Sequence, residues 1–348
     1  MKSKSSKKIY STFTLFLLTT ISAFAVTTLK PGQLWLDDRG VHINAHGGGV
    51  MCQDGTYYWY GEHKSDSTSC AYVGVTCYSS KNLTDWKYEG VALKVDTLKG
   101  SDLEAGCILE RPKVIYNKQT KKYVMWFHLE LKGQGYNAAR AGVAVSDKPE
   151  GPFVYLCSGR VNPRCYPLNT DAGFMDIFNR DFAGGQMARD MTLYVDDDGK
   201  AYHIYSSEDN YTLHIAELSE DYTSHTGRFA RVAPGGHNEA PTIFKRGGRY
   251  WMITSGCTGW APNEARMFTA TDIWGPWEQL PSPCVGPDAK TTFGGQGTFI
   301  LKVEGCEDSY IFMADIWRPK RPSDGRYMWL PISFKPDGVP VIHTVFNP

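Results

Sequence analysis

Five polar positions each open a run of residues that reads as a buried strand. They are Asn44 with His46, Glu110, Asp190, Glu239 and Gln296, and runs such as Met191-Thr192-Leu193 and Ala240-Pro241-Thr242-Ile243 follow them. A carboxylate at the mouth of a buried strand is expensive to desolvate. Strand capping, or pairing with Arg111 or Arg189, accounts for any one of them singly but poorly for the set. In a pair, one carboxyl can protonate a departing oxygen while the other activates water or attacks carbon. A third raises the acid's pKa by like-charge repulsion. That is the chemistry of cleaving a glycosidic bond.

The elements that must bring these residues together repeat along the chain. An apolar strand, a turn, an aromatic strand, a Ser- or Ala-led strand and a turn before Trp or Phe recur five times. The passes begin at GGGVMCQDGTYYWYGEHK, ERPKVIYNKQTKKYVMWFHLEL, RDMTLYVDDDGKAYHIYSS, EAPTIFKRGGRYWMITSG and GQGTFILKVEGCEDSYIFMAD. Turn pairs such as Asp54-Gly55, Asp198-Gly199 and Gly247-Gly248 set the first two strands of a pass face to face. Four-stranded units at a period of about 50 residues predict an all-β, five-bladed β-propeller. A β-sandwich or β-helix is the alternative, but neither requires five look-alike hairpins. The segment from about Cys157 to Gly185 breaks the period and reads as a long loop near the mouth of the site. In a propeller the innermost strands converge on the axis, so the five polar positions meet there.

Composition narrows the partner. Lysine plus arginine and aspartate plus glutamate each number 37, which argues against nucleic acid or an anionic membrane and for an uncharged substrate. Aromatics make up 13% of the chain, as sugar-binding sites and all-β cores both require. The nine cysteines show no CxxC pairing, so a zinc site is not expected, and buried thiols and disulfides are both open. Lys2, Lys4, Lys7 and Lys8, the apolar run Phe13 to Ala23 and Ala23-Phe24-Ala25 form a secretory signal pattern over residues 1–25. Residues 26–348 then form the propeller domain, exported to the periplasm or medium.

Arg189-Asp190-Met191-Thr192-Leu193-Tyr194-Val195-Asp196-Asp197-Asp198-Gly199 and Asn238-Glu239-Ala240-Pro241-Thr242-Ile243-Phe244 closely resemble third- and fourth-blade motifs of glycoside hydrolase family 43. That family consists of inverting enzymes on five-bladed propellers. AHGGGV, YYWYGEHK, ERPKVIYN, YVMWFH, SGCTGWAPN and WRP followed by GRYMWLP resemble its exo-acting galactan β-1,3-galactosidase branch. The resemblance implies that Glu239 is the general acid and Asp190 its pKa modulator. It implies that Glu62, Tyr136, Asn210, Trp260, Thr258 and Arg318 bind the sugar.

The family's usual general base, an aspartate at the start of the first blade, is missing here, where the chain reads Asn44-Ala45-His46-Gly47. Chemistry alone points to Glu110 as the base. The branch resemblance points instead to Gln296 beside the attacking water, with Glu110 in support. His46, a lone histidine beside glycines, reads as structural, and the three glycines as giving the first strand room beside Glu62. No cofactor is required, although structural calcium on the axis occurs in the family. The expected activity is exo-acting, inverting release of galactose from β-1,3-galactan. An α-L-arabinofuranosidase or β-D-galactofuranosidase is the near alternative, and a non-catalytic sugar-binding propeller the distant one. A phosphorylase would need more Arg and His than Arg111, Arg189 and Arg318 supply.

Overall fold

The computed structural model describes residues 30–170 and 173–344, so the predicted signal segment lies outside the described residues. Five antiparallel sheets follow one another along the chain. Blade one spans His46–Lys94, blade two Ile108–Gly159, blade three Met191–Val232, blade four Asn238–Leu280, and blade five Gln296–His343. In each, the first strand is innermost and its hairpin partner lies next to it. Blade five gains a short parallel strand, Cys284–Val285, against Pro340–His343.

Aromatic content is mostly explained by the blade interfaces. In the second strand of blade one, Tyr57 and Trp59 pack toward blade five while Tyr58 and Tyr60 pack toward blade two. Blade two repeats this, with Tyr123, Met125 and Phe127 on one side and Val124 and Trp126 on the other. A strand alternates its side chains, and in a propeller both faces of an inner strand are covered, so the run is aromatic throughout rather than every second residue. Five apolar clusters fill the five gaps between neighbouring blades.

The interruption between blades two and three is an insertion with structure of its own. Blade two's outer strand continues to Gly159, and the insertion then carries a helix, Met175–Asp181, where a loop is expected from sequence. Phe178 of that helix stacks on Phe229 of blade three with ring centroids 6.2–6.3 Å from its neighbours Phe182 and Phe229. All nine cysteines are free thiols, which resolves the choice between bridging and burial: Cys77, Cys107 and Cys284 are buried small hydrophobes.

Candidate active site

Four of the five inner strands carry one extra residue at the same end. The register with the second strand slips between His46 and Gly49, Glu110 and Lys113, Glu239 and Thr242, and Gly297 and Phe299. Such bulges re-aim side chains at barrel rims and active sites. In three of them the residue after the polar position is left-handed: Gly47 at φ 59°, Arg111 at φ 56° and Ala240 at φ 50°. That turn swings a backbone N–H toward a carboxylate of the preceding blade. Gly47 donates to Asp315 at 2.7 Å, Arg111 to Glu62 at 2.9 Å and Ala240 to Asp190 at 3.1 Å. A left-handed L-residue costs about 1–2 kcal/mol, and a hydrogen bond to a charged acceptor offsets about that much.

The cavity the bulges surround has a volume of ≈ 300 Å3. At its base lies Arg111, whose Nε and Nη2 hold both oxygens of Asp190 at 2.9 and 2.8 Å. Nη2 also donates to Gln296 Oε1 at 2.7 Å, and Trp317 Nε1 donates to the same oxygen at 2.8 Å. Both lone pairs of that amide oxygen are therefore occupied, and its nitrogen donates to Ser255 Oγ at 2.9 Å. This fixes the amide's orientation, because an NH2 group could not face the two donors.

Glu239 stands across from this group and accepts from Asn210 Nδ2 at 2.8 Å. Burial and the negative charge of Asp190 push its carboxyl up to about 7, against the opposing pull of Arg111, the Cys257 thiol and Asn210. Glu110 is treated in the opposite way. Burial alone would raise it, but the hydrogen bond from His128 and the charges of Lys64, His128 and Arg111 hold it down at about 2. His128 lies 3.3 Å from Glu110 and 2.9 Å from the buried Glu130. Burial works against its charged form, yet these two carboxylates raise it to about 9. Tyr136 donates to Glu110 at 3.0 Å. Lys64 pairs with Glu62 and sits 3.7 Å from Glu110, and these carboxylates outweigh burial and keep it charged.

The first-blade stretch holds no carboxylate but has a defined fit. The Asn44 side-chain amide pairs with the backbone of Lys64 through two 2.8 Å bonds. A Cβ on Gly47 would meet Glu62 Oε1 at 2.1 Å, one on Gly48 the Tyr60 carbonyl at 1.9 Å, and one on Gly49 Lys113 Cδ at 2.6 Å. His46 is fully buried beneath the cavity, stacked on Tyr327, with Nδ1 3.4 Å from Asp315.

The residues on the axis do not suit calcium. Lys113 projects among the inner strands of blades one, two and five, with Nζ 2.9 Å from the Gly47 carbonyl and 3.3 Å from that of Arg111. Its amine thus occupies backbone oxygens that a divalent cation would use, and burial and the Arg111 charge lower its pKa to about 7. Among the described residues no group of three or more His, Cys, Asp or Glu is arranged to hold a metal.

The sequence profile of glycosyl hydrolases family 43 matches residues 48–340. The chain belongs to that family. Among solved structures similar to it is a family 43 β-1,3-galactosidase with galactodeoxynojirimycin, at 55% identity over 91% of this chain and 99% of that one, with a TM-score of 0.88. An exo-β-1,3-galactanase from Clostridium thermocellum is 38% identical over 90% of this chain and 64% of its own, with a TM-score of 0.79. One from Phanerochaete chrysosporium, solved as a variant with β-1,3-galactotriose, is 33% identical over 90% of this chain and 66% of its own, with a TM-score of 0.76. Among the curated proteins, none is similar enough to count as a match.

Of the positions expected from sequence, this family 43 chain brings Glu62, Glu110, Tyr136, Asp190, Asn210, Glu239, Trp260 and Gln296 to one cavity. Thr258 and Arg318 are placed elsewhere. Thr258 Oγ1 donates to the Ala261 carbonyl at 2.6 Å and accepts from Asn263 at 2.7 Å, so it staples the loop that carries Trp260. Arg318 turns outward to Asp324. Its neighbour Trp317 takes the cavity position instead, 5.8 Å from Trp260 in an edge-on arrangement and with the Arg111 guanidinium 5.4 Å from its ring. Lys64, His128 and Trp317 also line the cavity and are not among the site residues expected from sequence. Their signal is strand parity: Lys64 lies two residues beyond Glu62, and His128 lies opposite Glu110 in the hairpin register.

Proposed function

We propose that this protein is an exo-acting, inverting glycoside hydrolase that releases galactose from β-1,3-galactan, the backbone of arabinogalactan-type chains. The observation that carries the reading is the arrangement at the cavity: Glu239, its carboxyl raised to about 7 by burial and by Asp190, stands beside an Asp190 that Arg111 grips with both arms. A 55% identical relative that covers nearly the same length, a β-1,3-galactosidase, supports the choice of sugar and linkage.

In this reading Glu239 protonates the glycosidic oxygen as the bond lengthens. Asp190 keeps its proton in place through repulsion and leaves the carboxylate it becomes facing Arg111. Gln296 aligns the water with the N–H that remains after its bond to Ser255, its oxygen being saturated by Arg111 and Trp317. Glu110, fully ionised, is the group with charge to draw on that water's proton or on a sugar hydroxyl. A weak base suffices where the transition state is oxocarbenium-like and attack is late. Asn210 Oδ1 and Arg189 Nε are buried without protein partners and serve the sugar's hydroxyls. Cavity carboxyl groups Glu62, Glu110, Asp190 and Glu239 are matched in number by Lys64, Arg111, Arg189 and His128, which suits a neutral ligand. Hydrolysis written this way needs no cofactor. The leader over residues 1–25 sends the enzyme out to polymeric substrate.

The test is incubation with β-1,3-galactan and with arabinogalactan before and after arabinose removal, with products identified and the first-formed anomer followed by NMR. Galactose as the α-anomer from β-1,3-galactan supports the reading. Arabinose as the product, or galactose of retained configuration, overturns it, and no release with measurable galactan binding favours the binding propeller.

A further inference from the structure

We propose that the connection Glu208-Asp209-Asn210-Tyr211, clamped by the insertion between blades two and three, is a positioning device that sets the hydrogen bond from Asn210 to the acid carboxyl. It rests on the reading of Glu239 as the acid.

Glu208, Asp209 and Asn210 have φ of 53°, 56° and 66°. Residues with a Cβ visit the left-handed region as single positions, not as runs, and three in succession form a full left-handed turn without a glycine. It is also the shortest of its kind. Blade three joins its second and third strands with the four residues between Ser207 and Thr212, whereas the same connection takes nine or more in the other blades. A conformation this unfavourable persists only where its surroundings over-determine it, and such sites cluster at functional centres.

The surroundings come from three sides. Glu208 is completely buried, with Arg231 Nε and Nη2 on its two oxygens at 2.7 Å each, His214 Nε2 at 2.8 Å and Thr212 Oγ1 at 2.8 Å. The same guanidinium reaches into the insertion and donates to the carbonyls of Gly173 at 2.7 Å and Phe174 at 2.9 Å, where the helix Met175–Asp181 begins. From the other end of that helix Arg180 donates to Asp209 at 2.7 Å, while Arg189 on the cavity rim lies 3.7 Å from Asp209. The product of this clamping is Asn210, whose Nδ2 meets Glu239 at 2.8 Å and whose carbonyl backs onto the Cys257 thiol at 3.8 Å. The groups that face Glu239 are Asp190, which raises its pKa, and Arg111, Cys257 and Asn210, which lower it. Loosening Asn210 therefore withdraws a donor from the ionised form, so the acid titrates at higher pH.

The experiment compares Asn210→Ala, Asp209→Gly and Arg180→Met with the full-length wild type by pH profiles of kcat and kcat/KM on β-1,3-galactan, with Tm measured alongside. Arg180 is half exposed, and glycine accepts the left-handed backbone, so both clamp variants fold. Expected for Asp209→Gly and Arg180→Met is a several-fold fall in kcat. The alkaline limb moves upward, in the direction set by Asn210→Ala, and Tm is unchanged or, for the glycine, higher. A merely structural clamp gives the reverse, a lower Tm with the alkaline limb in place, and that result overturns the proposal. So does an alkaline limb that Asn210→Ala fails to move. Turnover retained by Glu239→Gln is the distinct result that removes the acid assignment itself.

Discussion

Glu239 holds its proton up to about pH 7 because burial and the charge of Asp190 penalise its ionised form more than Arg111, Cys257 and Asn210 favour it, and the consequences reach stability as well as rate. Its carboxyl moves from 4.5 in the unfolded chain to about 7 in the fold. A raised acid contributes stability that is complete below pH 4.5 and is lost as pH climbs through 7. Glu239→Gln should cut kcat by roughly 10³-fold or more on unactivated galactan. At pH 8 it should also melt higher than wild type, by up to about 3 kcal/mol at one pK unit per 1.36 kcal/mol, with no such gain at pH 4.5. Thermal melts at the two pH values check this, and equal shifts at both would contradict the buried acid. The alkaline limb of wild-type kcat/KM should fall near pH 7. Glu110→Gln and Gln296→Ala should each lower kcat by roughly 10²-fold, the first by removing the charge beside the water and the second by freeing the water itself. Steady-state kinetics with KM separated from kcat decides whether either residue merely binds sugar.

At the scale of the strand, the bulge with its captured N–H is the unit that builds the site, and the glycines of blade one test it. Gly48→Ala sets a Cβ against the Tyr60 backbone carbonyl, which cannot step aside, so the first hairpin must open at a cost of about 3 kcal/mol or more. Gly47→Ala meets only the Glu62 side chain, which can rotate away, but in doing so it abandons the Arg111 N–H and Lys64. Its expected signature is a KM raised roughly tenfold with about 1–2 kcal/mol lost to the left-handed backbone, read by kinetics and denaturant melts. These features mark what can be read from sequence. Turn glycines and the repeated hairpins placed the five blades, and polar residues at the strand mouths gave Glu110, Asp190, Glu239 and Gln296, while Glu62, Tyr136, Asn210 and Trp260 came from the resemblance to family 43. A bulge changes parity within a single residue and leaves no compositional trace, so the left-handed Arg111 and Ala240 were invisible. Trp317 was hidden for a related reason: its neighbour Arg318 looks the better ligand until the strand end decides which of them turns inward. Lys113, a lysine enclosed by three blades with its pKa lowered to about 7 by burial and Arg111, reads in sequence as an exception within an apolar run.

The whole ring raises the question of how the last blade holds the first. Blade one is built from residues 46–94 and blade five from residues 284–343, so among the described residues no strand is shared across the closure. Side chains do the joining. Tyr327 Oη donates to the Ile43 carbonyl at 2.7 Å and accepts from the Ala45 N–H at 3.0 Å, and its backbone carbonyl takes the Gly32 N–H at 2.8 Å. Around it Trp35, Trp59, Trp86 and Trp329 pack with centroids 4.8–6.2 Å apart. This fifth interface also carries His46 and the Asp315 that captures Gly47, so its fit bears directly on the cavity. Tyr327→Phe keeps the packing but strands one buried carbonyl and one buried N–H, at about 1–3 kcal/mol for the pair. Trp59→Ala instead empties the centre of the cluster at about 3–5 kcal/mol. If the ring unfolds as one cooperative body, both variants lower Tm in that order and still melt in a single transition with coincident near- and far-ultraviolet signals. Separate transitions in Trp59→Ala would show that the closure can open while blades two to four stay folded, and that the ring is only as cooperative as this seam.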